Sequence, residues 1–228
     1  FADTQGEKAI GEASACYMES KVAAQNIHDT VPDARLIAIL RDPVARSYSH
    51  FQMHVRARTE RLPRFQSDAE RAAYLVDRLS DPYYVRKGQY HSQLSRYYDL
   101  FDRQQMQVLL FEDLKESPSS FMSSIYSFLD IDSSFTPEDI GRKYNKGGIP
   151  KFGIIQNIVK EGSTLKSFIS SILPTDLYES LKWRIINYNQ HTAPDLPTSA
   201  RKRLIPYYED DILRLEEELS VDLSDWLK

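Results

Sequence analysis

Residues 35–40, Arg-Leu-Ile-Ala-Ile-Leu, form a short apolar run rich in branched side chains, and Asp42-Pro43 follows it at once. An apolar run of this length without polar alternation suits a strand buried in a parallel sheet. Asp is a favoured helix N-cap and Pro is pre-set for the first helical position, so the spacing predicts a helix from residue 43 to about 58. A strand that turns directly into a helix is the repeating unit of α/β folds, whose ligands gather at the carboxyl ends of the strands. The expectation is therefore an α/β domain with its chemistry near Arg41.

The rest of the chain extends this pattern. Residues 15–29 read as a helix ending before Pro32, 59–67 as a polar connection, and 68–79 as a helix stopped by Pro82. Leu94, Tyr97, Tyr98 and Phe101 recur at helical spacing within 90–101. Met106–Phe111 reads as a second buried strand. Ser117-Pro118 opens a helix with Phe121, Ile125, Phe128 and Leu129 as its apolar stripe. Residues 131–151, with Pro137, Gly141, Gly147, Gly148 and Pro150, read as a long loop. Residues 152–228 read as helical with breaks at Pro174 and at Pro194 to Pro197, and end in a long helix striped by Leu204, Tyr208, Ile212, Leu215 and Leu219. Residues 1–228 are expected to be one domain. Two parallel strands are too few for a stable sheet, so others are expected upstream of Phe1 or within the first residues. Phe1-Ala2-Asp3-Thr4 is neither a signal peptide nor an initiator methionine, which predicts that the chain begins inside a longer product.

Composition narrows the class. The chain has 228 residues, 41% hydrophobic and 27% charged, which excludes a disordered chain. No stretch approaches the ~18 uninterrupted apolar residues of a membrane-spanning helix. A net charge of −4 argues against a general nucleic-acid binder. Cys16 is the only cysteine, so no intrachain disulfide can form. That fits a reducing compartment such as a bacterial cytoplasm, while a eukaryotic origin would instead point to the Golgi lumen. Cys16 is expected to be a small buried apolar residue.

Arg41 stands where a strand ends and a helix N-terminus offers unpaired N–H groups and a positive dipole end. A guanidinium there can grip a phosphate with two parallel hydrogen bonds. Ser49 lies about two turns into the helix, within reach of an anion along its flank, and shares a face with Arg46. By spacing alone, surface ion pairs explain the two arginines equally well.

The run Arg41-Asp42-Pro43-Val44-Ala45-Arg46-Ser47-Tyr48-Ser49 resembles the Arg-x-Pro-x-x-Arg-x-x-Ser motif of sulfotransferases that use 3′-phosphoadenosine-5′-phosphosulfate (PAPS), especially the bacterial and heparan-type branches. Further blocks agree in order: Gly11-Glu12-Ala13-Ser14-Ala15-Cys16-Tyr17, Gly88-Gln89-Tyr90-His91-Ser92-Gln93-Leu94, Val108 to Leu114, and Phe128-Leu129-Asp130-Ile131. The resemblance implies a P-loop NTPase-like parallel sheet flanked by helices, with a helix-rich carboxy-terminal part. It implies PAPS as sulfuryl donor, adenosine 3′,5′-bisphosphate as product, and an acceptor hydroxyl or amine on a polysaccharide, small molecule or carrier-bound acid. It gives Arg41 and Ser49 to the 3′-phosphate and Glu12 the part of general base. Lys146, Gly147 and Gly148, within the basic loop 143–151, resemble the family's late cofactor loop.

His50 is a second candidate for proton transfer, taking the proton itself or orienting Glu12, with His54 one turn on along the same face. Such a pair can bind zinc, but no third ligand is evident nearby and sulfuryl transfer needs no metal. Tyr90 and Tyr144 are candidates for contact with the adenine, set against plain core packing. Arg56, Arg58, Arg61 and Arg64 suit an entrance for an acidic acceptor, or a solvated face. The family's 5′-phosphosulfate loop, a Lys-x-Gly-Thr-type turn, is absent from this sequence and is expected upstream of Phe1. Two rivals remain. A P-loop kinase-like enzyme would require Gly-x-x-x-x-Gly-Lys-Ser/Thr. A degenerate domain would bind a partner without catalysis.

Overall fold

Strand β1 (Leu36–Leu40) pairs in parallel with β2 (Met106–Leu110), Leu36 opposite Met106 and Leu40 opposite Leu110, in the computed structural model of the chain. The structure describes residues 5–57, 59–138, 140 and 194–228, with the backbone of 149–150 and 190–191. Each strand runs straight into a helix, and the two carboxyl ends lie side by side. The Arg41 guanidinium sits 5.4 Å from the centre of the Phe111 ring.

Among the described residues the α-helices in chain order are α1 (Ala23–Thr30), α2 (Pro43–Ala57), α3 (Asp68–Leu79), α4 (Pro82–Val85), α5 (Tyr90–Tyr98), α6 (Phe111–Glu116), α7 (Pro118–Phe128), α8 (Thr198–Leu204) and α9 (Glu209–Leu219). Ser67 caps α3 by accepting from the Glu70 N–H, and Asp81 caps α4 by accepting from the Tyr83 N–H.

Two compact units divide the chain. Residues Phe1–Ser47, Ser67–Tyr144 and Pro197–Lys228 make the first, and Tyr48–Gln66 with Asn145–Leu196 make the second. In the first, Ala24 of α1, Tyr97 of α5 and Phe101 just beyond α5 form a buried cluster against which Ile27, Leu36 and Met106 pack. In the same unit α8 packs on α3, and α9 on α5. In the second, Phe51 is buried and the Tyr48 hydroxyl donates to the Pro194 carbonyl at 2.5 Å. A short antiparallel ladder, β3 (Ile149–Pro150) with β4 (Gln190–His191), belongs to this unit.

The strands and helices α2 and α3 stand within a residue or two of the sequence reading, and four expectations are corrected. Strand β1 is not buried on both sides. Its residues alternate, with Leu40 buried and Ile37 and Ile39 still 37% and 47% exposed. The first helix begins at Ala23 rather than near 15. Residues 15–19 form turns only, the Ser20 N–H reaching the Cys16 and Tyr17 carbonyls, and the Tyr17 and Met18 carbonyls also accept from the Tyr97 hydroxyl and the Arg96 guanidinium, each at 2.8 Å. Cys16, in that irregular stretch, is exposed rather than buried. The final helix is two helices, α8 and α9, joined by a 3-10 turn at Ile205–Tyr207, because Pro206 has no N–H to continue the first.

Candidate active site

The turn between β1 and α2 is held on every side. Asp42 caps α2, its Oδ1 accepting from the Val44 and Ala45 N–H groups at 2.9 and 3.0 Å. Its Oδ2 pairs with Arg201 Nη1 at 2.7 Å. The Arg41 carbonyl accepts from the Tyr90 hydroxyl at 2.8 Å. Burial pushes the Tyr90 phenol far above its usual range, so it stays a protonated donor. Deeper in α2, the Ser47 hydroxyl lies 2.7 Å from the Tyr208 hydroxyl, and both residues are buried. Burial likewise raises the Tyr208 phenol. Gly88 passes so close that a Cβ there would lie 2.9 Å from Pro43 Cβ and 2.8 Å from Tyr208 Cε1.

The charges around this turn do not cancel. Arg41 Nε and Arg46 Nη1 are buried without hydrogen-bond partners, and among the described residues neither guanidinium meets a carboxylate. Asp42, the acid nearest in sequence, is already spent on its cap and on Arg201. Both arginines are half-buried, buried guanidinium nitrogens without acceptors are costly, and an anion bound there would supply the missing acceptors and a counter-charge. This also corrects the expectation that open helix N–H groups would help hold the anion. Asp42 takes two of them, and the guanidiniums are what remains.

Tyr90 was expected to be a candidate for the adenine contact. It is 2% exposed, its hydroxyl is on the Arg41 carbonyl and its ring stands 6.1 Å from that of Trp226. It supports the turn from within the core and offers no open ring face for a ligand.

Glu12 lies on the exposed amino-terminal stretch and accepts a hydrogen bond from the Tyr17 hydroxyl, which raises the tyrosine's pKa. The segment following it is pinned to the first unit by Tyr97, by Arg96 and by the ion pair of Lys87 with Glu19. In the second unit His50 Nε2 lies 3.1 Å from His54 Nε2, and His54 Nδ1 lies 2.6 Å from Thr59 Oγ1. At this distance one neutral imidazole can donate to the other, and which nitrogen carries the proton depends on the tautomers. Among the described residues no three metal-binding side chains converge. Ser49 is exposed on α2, Arg61 and Arg64 are exposed, and Arg56 is half-buried. Lys146, Gly147, Gly148, Tyr144 and Arg58 lie outside the described residues.

Sequence reasoning missed Arg201 and Gly88 and took Tyr208 for a stripe residue. Nothing local marks Arg201, whose partner Asp42 lies at the other end of the chain. The signal nearest to Gly88 was its place at the head of the block that continues into Tyr90.

Residues 19–146 match the family model for the sulfotransferase domain. Over 130 residues the chain is 28% identical to bifunctional heparan sulfate N-deacetylase/N-sulfotransferase 1 of Caenorhabditis briggsae, covering 54% of this chain and 15% of that protein. The Caenorhabditis elegans protein of the same name is 28% identical over 125 residues, covering 53% and 14%. The chain thus spans only a small part of the length of these curated relatives. The crystal structure of a sulfotransferase from Alicyclobacillus acidocaldarius aligns with a TM-score of 0.65 and 25% identity, over all of this chain and 71% of that one. The P-loop-like α/β fold expected from the sequence is therefore the fold of this chain. Arg41, Ser49, His50, His54 and Tyr90 fall inside the matched family region, while Glu12, Arg201 and Tyr208 fall outside it.

Proposed function

Since the chain belongs to the sulfotransferase domain family, we propose that it moves a sulfuryl group from PAPS to a hydroxyl or amine of a polysaccharide, and that Arg41 receives the donor's 3′-phosphate. One observation carries the reading. Arg41, at the carboxyl end of β1 where α/β folds receive anionic ligands, and Arg46, in the first turn of α2, each have a buried nitrogen without a partner. Ser49 is the residue that the motif associates with Arg41, and Arg46 adds positive charge one turn into α2.

In the transfer the acceptor oxygen or nitrogen attacks sulfur. The bond from sulfur to the bridging oxygen breaks, the leaving group departs as adenosine 3′,5′-bisphosphate, and the acceptor proton passes to a base. The protein's tasks are to position the reactants and to balance charge. Glu12 is the proposed base, with His50 and His54 as further candidates for taking the acceptor proton. Lys146, Gly147 and Gly148 are the proposed closing loop. The polysaccharide acceptor is suggested by the heparan sulfate in the names of the two nematode relatives, and the exposed Arg61 and Arg64 suit its negative charge.

The test is calorimetric binding of adenosine 3′,5′-bisphosphate and of 5′-AMP to the wild type and to Arg41→Ala. A charge-assisted pair contributes about 1.5–3 kcal/mol, so the bisphosphate should bind roughly 10- to 100-fold tighter and the substitution should remove most of that preference. Equal binding of the two nucleotides to the wild type would refute the reading.

A further inference from the structure

Asp42 presents a problem of charge. It follows Arg41 directly and precedes Arg46 by one helical turn, the spacing at which an acid and a base on a helix pair. Its side chain is 15% exposed, so its carboxylate is poorly hydrated and needs a cation. If Arg41 or Arg46 met that need, the cation would be lost to any incoming anion. Neither does, because Arg201 supplies the cation from α8.

Arg201 is fixed for this task. While Nη1 is on Asp42, Nη2 donates to the Trp226 carbonyl at 3.1 Å and Nε donates to the Lys228 carbonyl. All three edges of the guanidinium are occupied, so the side chain cannot swing away without losing several bonds. Trp226 also packs against Tyr90, which holds the Arg41 carbonyl. The carboxy-terminal turn thus supports the site through its charge and through its shape.

We propose that Arg201 is a positioning residue of the anion site, neutralising Asp42 so that Arg41 and Arg46 stay available to the ligand. The inference rests on the 3′-phosphate reading above and extends the site to residues outside the matched family region.

The test compares Arg201→Met, Arg201→Lys, Asp42→Asn and the double variant Arg201→Met with Asp42→Asn. The readout is the preference for adenosine 3′,5′-bisphosphate over 5′-AMP by calorimetry, with thermal melts alongside. Asparagine caps a helix about as well as aspartate, so Asp42→Asn removes the charge and keeps the cap. Arg201→Met should cost about tenfold of the preference, as the freed carboxylate competes for the arginines. The double variant should recover it to within about threefold of the wild type, although its melting temperature stays low. Arg201→Lys, which keeps the charge and loses the fork, should hold the preference while losing stability.

Unchanged preference in Arg201→Met overturns the inference and leaves the 3′-phosphate reading standing. So does a loss that Asp42→Asn fails to restore, since that loss would be structural. If Arg201→Met does not fold, a tenfold loss of preference in Arg201→Lys or in Asp42→Asn alone overturns it equally. A wild type without any preference overturns both readings together.

Discussion

Replacing Gly88 with alanine would place a methyl carbon 2.8 Å from Tyr208 Cε1 and 2.9 Å from Pro43 Cβ, where carbon atoms at rest stand about 3.5–4.0 Å apart. Neither neighbour can yield easily. The Tyr208 ring is 1% exposed and tethered by its hydroxyl to Ser47, while Pro43 is a rigid ring in the first turn of α2. Two effects compete. Removing a glycine from the unfolded chain stabilises by about 0.4–1 kcal/mol when the native backbone accepts alanine. Overpacking a filled core costs about 1–3 kcal/mol, and two hard contacts place this site at the upper end. The net is a loss of about 2 kcal/mol, which in a chain of this size lowers the melting temperature by roughly 4–8 °C. The assay is urea unfolding followed by circular dichroism, which should show a lower midpoint at unchanged slope. Binding of adenosine 3′,5′-bisphosphate should weaken in parallel, since the methyl pushes on the turn that carries Arg41. A midpoint equal to or above that of the wild type would refute the packing of Tyr208 and Pro43 on Gly88.

Two other perturbations follow from the structure. Glu12→Gln should lower kcat for sulfuryl transfer by about 10²–10⁴ while leaving bisphosphate affinity unchanged, and full turnover in a transfer assay would remove Glu12 from the mechanism. Asp211→Asn tests a half-buried carboxylate that accepts from the first turn of α5. Burial raises the Asp211 carboxyl above its usual range, although the His91 and Ser92 N–H groups that it accepts from pull it down. A carboxyl whose folded pKa is raised contributes stability at low pH and loses it as pH climbs through the folded value. The wild type should therefore lose stability relative to Asp211→Asn as pH rises from about 4. Urea midpoints across the acid range measure this, and a constant difference would contradict it.

Local rules made much of this fold readable. β1 and α2 were legible because a branched apolar run, an N-cap and a proline stand in ten consecutive residues, and α3 because Ser67 and Asp68 announce its start. The start of α1 was not legible, since residues 15–19 form turns only, and Arg96 and Tyr97, which reach the Met18 and Tyr17 carbonyls, stand some eighty residues away in sequence. The β3–β4 ladder escaped because strands of two residues carry no period. At the site, Arg41 and Asp42 could be read from the end of a strand and the beginning of a helix. The charge balance around them could not, because it is settled by Arg201. Tyr90 shows the converse. An aromatic beside a ligand-binding segment satisfies the pattern of a ligand contact and that of a core residue alike, and only its hydroxyl on the Arg41 carbonyl separates the two.

The bond between Ser47 and Tyr208 spans 161 residues, and its consequence lies in biosynthesis. A ribosome adding about 5–20 residues per second needs roughly 8–32 s to pass from one partner to the other. During that interval α2 has neither Tyr208 beside Ser47 nor Arg201 on Asp42, and the apolar surface they will cover faces water or a chaperone. Closing so long a loop also places this contact among the slow events of folding. Protection of α2 from proteolysis in nascent or shortened chains would then report whether translation had passed Tyr208.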